Sequence, residues 1–157
     1  MYRRLSEWMD PGRMWVTEQS TFERAMMAVG LELERKGMVS SSFTQVVLDQ
    51  ESIIPSGVSD VAVPVAVIDV PISIAKRDGI SLLHLLNPCE VKTITGETIQ
   101  AKAILLITAT NESKKQGYHK LIDDLLMDDE SLQALVHVKS RAGLFYLQTS
   151  FSEAFSY

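Results

Sequence analysis

Cysteine is almost missing from this chain. Cys89 stands alone, which rules out an intrachain disulfide and a thiolate-rich metal site and suits a reducing compartment. Long apolar runs are missing too. "AILLITAT" (103–110) falls far short of the roughly 18 residues that a membrane-spanning helix needs. The opening "MYRRLSEWMDPGRMW" has Arg3 and Arg4 with no apolar core behind them, unlike a signal peptide. The expected location is therefore the cytoplasm, without membrane insertion. Clustered positive charge is a third absence. The 15 Lys and Arg are outnumbered by 20 Asp and Glu, giving a net charge of −5, and no basic run is interleaved with aromatics, so nucleic acid is not an expected partner. No P-loop, GxGxxG, HExxH or Ser–His–Asp order occurs, and nothing calls for a cofactor or a metal.

What is present is enough for one core. A chain of 157 residues, 46% of them hydrophobic, buries most of its apolar surface in a single domain. Ser20 with Glu23 has capping-box spacing, and Phe22, Met26, Val29 and Leu33 recur at helical steps up to Gly37. Ser42 with Gln45 opens a second, shorter helix. "ESIIPSGVSD" (51–60) reads as loop. Three apolar runs of strand length follow, "VAVPV" (61–65), "ISLLHLL" (80–86) and "KAILLITA" (102–109), with turns at Asp78-Gly79, Asn87-Pro88 and Thr95-Gly96-Glu97. Asn111 caps a helix carrying Tyr118, Leu121, Ile122, Leu125 and Leu126, and "ESLQALVHV" (130–138) is a last short helix. Helices, then strands, then helices predict a single-domain α/β sandwich with a central mixed sheet.

Chemistry-bearing residues are few. His84 lies between leucines on a presumed strand, and His137 ends a short helix where a cation suits the dipole; both read as structural. His119, in the first turns of a helix behind a polar loop, is the more interesting, although surface decoration is the ordinary reading of its pattern. Cys89 has no histidine near it in sequence and reads as a turn cysteine. The carboxylates of "DDLLMDDE" (123–130) spread around a helix end rather than converge, as a solvated face does.

The order of these pieces resembles the enzyme IIA component of the sugar phosphotransferase system, in the fructose/mannitol superfamily and nearest its galactitol-type branch. "FERAMMAVGLELERKGMV" is similar to that family's first helix and following glycine. "VVLDQESIIPSGVS" is similar to its "REx-x-x-PTGI" segment, and "VAVPV" to its "IAIPH". "KAILLITATNESKKQGYHKLIDDLLMDDESLQAL" is similar to its strand, loop and histidine-bearing helix. The resemblance runs from about Phe22 to Val138. It implies an N-terminal extension over residues 1–20 and a IIA-like domain over 21–157. It also implies a histidine that takes a phosphoryl group from HPr and passes it to a cysteine of IIB, with a second histidine steadying the phosphate.

On this alignment Val65 stands where the phosphoacceptor histidine is expected, and His119 takes the supporting place. Valine has no lone pair to attack phosphorus, and no histidine lies between Pro55 and Pro71. The resemblance thus implies a IIA-like protein that has lost its own transfer step and is inactive or regulatory, with HPr and IIB-type proteins as partners and self-association open. Two other readings stay open. His119 is the acceptor in one. In the other the chain is a non-catalytic binding or regulatory module that uses Trp8, Trp15 or the tail "LQTSFSEAFSY" for docking.

Overall fold

The computed structural model describes residues 13–137; Trp8 and the tail lie outside them. Five strands form one mixed sheet: β1 (Met14–Thr17), β2 (Gly57–Val58), β3 (Val65–Asp69), β4 (Gly79–Lys92) and β5 (Thr98–Thr108), in the order β1-β4-β5-β3-β2. β1 runs parallel to β4 and β3 parallel to β5, while β4/β5 and β2/β3 are antiparallel. Four helices cover the sheet: α1 (Phe22–Arg35), α2 (Phe43–Ile53), α3 (Glu112–Leu126) and α4 (Asp129–Val136). This is the α/β sandwich with a central mixed sheet that the sequence predicts.

Alternation along the strands sorts the core into two layers. Ala66 and Ile68 of β3, Leu83 and Leu85 of β4, and Ile104 and Leu106 of β5 share an apolar cluster with Met26, Val29 and Leu33 of α1 and Phe43 and Val47 of α2. Val65 of β3, Ile80 and Leu82 of β4, and Leu105 and Ile107 of β5 share the other with Ile122 and Leu125 of α3 and Leu132 and Leu135 of α4. Strands buried on both faces carry near-continuous apolar runs, which is why "KAILLITA" is legible as one. Each fully buried Leu or Ile contributes roughly 1.5–3 kcal/mol by leaving water.

Local chemistry sets the ends of α1. Thr21, rather than the expected Ser20, caps it by accepting from the Arg24 amide at 3.3 Å, and Glu23 lies in the positive first turn. Gly37, at φ 70°, supplies the left-handed turn that releases the chain. Asn111 caps α3 as expected, accepting from the Lys114 amide at 2.9 Å.

Several boundaries differ from the sequence reading. Residues 14–17, assigned to the extension, are an edge strand of the sheet, and Trp15 is part of the α1/α2-side core. Asn87-Pro88 is no turn. It sits inside β4, at a register irregularity between His84 and Cys89, where a proline without an N–H costs no ladder bond. Cys89 is accordingly a buried strand residue, and burial pushes its thiol pKa up, away from nucleophile chemistry. The loop 51–60 contains β2, and the strand expected at 61–65 begins only at Val65.

Candidate functional site

The carboxyl ends of the parallel pair β3 and β5 point to the same edge of the sheet, and α3 starts there, four residues after β5. Such an edge is where open α/β sheets bind ligands. β3 delivers Asp69 to it, opposite Ile107 of β5. α3 delivers Lys115 and His119, four residues apart and hence on one face of the helix.

These three side chains meet. His119 Nε2 lies 2.9 Å from Asp69 Oδ2, and Lys115 Nζ lies 3.3 Å from Oδ1. The Lys115 contact is an ion pair rather than a hydrogen bond, since Oδ1 is buried and takes no hydrogen bond. The carboxylate and the imidazole are both partly open to solvent, at 36% and 39% exposure. From the opposite layer, Gln50 Nε2 of α2 donates to the Asp69 main-chain carbonyl at 2.9 Å. The strand end is therefore held from both faces of the sheet, by its backbone on one and its side chain on the other.

A second cluster borders this edge. Asp78 accepts from the Thr110 amide at 2.7 Å and from Lys114 Nζ at 2.9 Å. Lys114 first, then the Thr110 amide, hold its carboxyl below the usual range, and Asp78 in turn raises the Lys114 pKa. These contacts fix the β5–α3 turn and so the aim of Lys115 and His119.

Val65 is not brought to this edge. It starts β3, pairs with Val58 of β2 and is 0% exposed. Four residues of strand separate it from Asp69, about 13 Å at ~3.3 Å per residue. Val65 and His119, expected to share a site, lie at opposite ends of β3. Pro64, inside the strand expected at 61–65, instead precedes β3: its carbonyl accepts from the Lys102 amide at 2.9 Å, and a proline is tolerated at a strand start.

The other candidates are scattered. His84 is 6% exposed within β4. His137 caps α4, its Nδ1 against the Gln133 carbonyl. Asp128 of the acidic run is the N-cap of α4, accepting from the Ser131 amide at 3.2 Å. Among the described residues no three His, Cys, Asp or Glu side chains group as metal ligands would, and no helix is long and apolar enough to cross a membrane.

Gln50 and Asp69 were missed by sequence reasoning, and only the first had a signal. The family segment opens with Arg-Glu where this chain has Gln50-Glu51. Glu51 is the anchor of the loop behind it: its Oε1 accepts from the Ser56 amide at 3.0 Å and the Ser56 hydroxyl at 2.9 Å. That loop delivers Gly57 so close to β4 that a Cβ there would stand 2.7 Å from the Lys92 carbonyl. Burial raises the Glu51 pKa, more than the Ser56 bonds lower it. A folded pKa above the unfolded one gives a contribution that is full below the ordinary Glu pKa and lost as pH rises through the raised value. Glu51→Gln keeps the acceptor oxygen, so its stability relative to wild type should rise across that interval, read from urea midpoints on both sides of it. A difference that does not change with pH would contradict this.

No family model matches the sequence, and no curated protein matches it. Solved structures do. The mannitol-specific cryptic phosphotransferase enzyme IIA CmtB of Escherichia coli matches with a TM-score of 0.73 at 19% identity, over 94% of this chain and 99% of that one. Enzyme IIA for mannitol, in its complex with phosphorylated enzyme IIB from Escherichia coli, matches with 0.67 at 19%, over 88% and 95%. The nitrogen regulatory protein IIA-Ntr of Neisseria meningitidis matches with 0.64 at 16%, over 92% and 98%. The chain has the fold of the phosphotransferase-system IIA proteins.

Proposed function

We propose that this chain is a phosphotransferase-system IIA-type protein, galactitol-like by its sequence motifs, that docks on HPr and IIB-type proteins without carrying the phosphoryl group itself. The observation that carries this is the state of its three histidines. His84 is buried in the sheet and His137 caps a helix. His119 alone reaches the edge where β3 and β5 end, and its Nε2 is engaged with Asp69. Attack through Nε2 would require that contact to break, since the attacking nitrogen of a phosphoacceptor needs its lone pair free. The docking half of the reading is supported by the fold, since a structural neighbour is seen in complex with phosphorylated IIB. It is supported as well by Ile53 and Ile54, 78% and 58% exposed at the end of α2, beside the Gln50–Asp69 contact. Apolar anchors with charged groups around them are the usual make-up of a docking patch.

The test is a titration of amide NMR spectra with HPr and with a IIB-type protein. Shifts should concentrate at Ile53, Ile54, Asp69 and residues 110–119. Shifts elsewhere, or none with either partner, would remove this reading in favour of a regulatory module outside the relay.

A second reading makes His119 the carrier, and one contact favours it. A carboxylate on Nε2 fixes the tautomer with the proton there, leaving the Nδ1 lone pair for attack. His119→Ala would then abolish labelling of the protein by the relay.

A further inference from the structure

The edge holds a negative group between two basic ones. Lys115 and His119 reach Asp69 from one face of α3, on separate carboxylate oxygens, at 3.3 and 2.9 Å. The Gln50 bond to the Asp69 carbonyl keeps the strand end from swinging away. Lys115 lies in the first turn of α3, where the dipole also favours negative charge, and His119 follows one turn further on. Paired basic donors on one helix face are a setting that receives phosphate oxygens, and here the chain's own side chain occupies it.

We infer that the Asp69 carboxylate is a permanent stand-in for a phosphoryl group. It fills an anion site walled by Lys115 and His119 and keeps phosphate out of it. A carboxylate offers two oxygens and one charge, against three oxygens and about −1.5 to −2 for a phosphoryl group. That matches two basic partners and leaves no donor over. The meaning of the filled state rests on the IIA reading: a protein that recognises the phosphorylated form of a IIA partner would meet that charge here with no transfer step. The filled anion site rests on the geometry alone.

Calorimetric titration with inorganic phosphate near neutral pH tests it on the whole chain. Wild type should show no saturable binding. Asp69→Ala removes the plug and should bind phosphate saturably, at least about tenfold more tightly than the weakest affinity the titration resolves, since one opposing charge is gone and two donors are freed. Adding Lys115→Ala should erase the gain. Asp69→Asn, which keeps the shape and loses the charge, should fall between wild type and Asp69→Ala, and it decides the matter if the alanine variant does not fold. Folded variants that bind phosphate no better than wild type would overturn the inference, as would a gain that survives Lys115→Ala. No phosphotransferase protein is in this assay. A gain in phosphate binding without docking on HPr or IIB would sink the IIA reading and leave the anion site standing.

Discussion

Val65→His is expected to destabilise the fold by about 2–6 kcal/mol and to remain unphosphorylated. Val65 is 0% exposed, in the same apolar cluster as Val63, Leu105, Ile122 and Leu132. An imidazole there is larger than the valine, and overpacking a core costs about 1–3 kcal/mol. Its ring nitrogens also lose water without a partner, at roughly 1–3 kcal/mol by mutational experience. Against a total stability of ~5–15 kcal/mol, the loss is large enough to read directly from a urea melt. Relay proteins would not reach the ring even in the surviving folded fraction, because it lies on the buried side of the sheet. A variant as stable as wild type that gained a phosphoryl group would show that position 65 is reachable by the relay and contradict the burial argument.

The second large effect is a gain. Asp69→His combined with Gln50→Arg is expected to take up one phosphoryl group from phosphoenolpyruvate, enzyme I and HPr, where wild type takes up none. Asp69 is the strand-end residue that faces His119, so a histidine there has the supporting imidazole beside it. Gln50 donates to the carbonyl of residue 69. An arginine fork can keep that bond and still present spare donors to phosphate oxygens, which glutamine cannot. In the step, the phosphorus–nitrogen bond to the HPr imidazole breaks as a bond to the residue-69 ring nitrogen forms, and the HPr imidazole leaves as the neutral base. Intact-mass spectrometry reads the result. A folded double variant that binds HPr and stays unmodified would show that a histidine beside His119 at the end of β3 is not enough for transfer, and would count against the docking orientation proposed above.

Much of the fold was legible because it is written in local patterns. The apolar spacing of α1, the Asn111 cap of α3 and the β5 run can each be seen within a dozen residues, and each is present. What failed is what local pattern does not encode. β1 is four residues, Met14–Thr17, without alternation, and it exists because β4 offers it a parallel edge. Pro64 lies inside an expected strand and Pro88 in an expected turn, although one immediately precedes β3 and the other sits in an irregular stretch of β4. Proline marks a missing donor, and a strand start or a bulge satisfies that as well as a turn does. The position of Pro64 bears on the site. Val65, expected beside His119, begins β3, and Asp69 at the other end of that strand is the residue that meets His119. The Asp69–His119 contact spans 50 residues of sequence and depends on β3 lying beside β5, a crossover that no local signal announces. His119 takes its role from the resemblance alone, since its spacing reads as surface decoration.

The central claim is that the pole formed by Asp69, Lys115 and His119 belongs to a IIA-type fold that carries no phosphoryl group of its own. The most direct measurement is the intact mass of the wild-type protein after incubation with phosphoenolpyruvate, enzyme I and HPr, run under acid-free conditions beside His119→Ala. Both proteins are expected to keep their unmodified mass while HPr in the same tube is fully labelled. A wild-type protein that gains one phosphoryl group, with His119→Ala gaining none, would make His119 the carrier and contradict the claim.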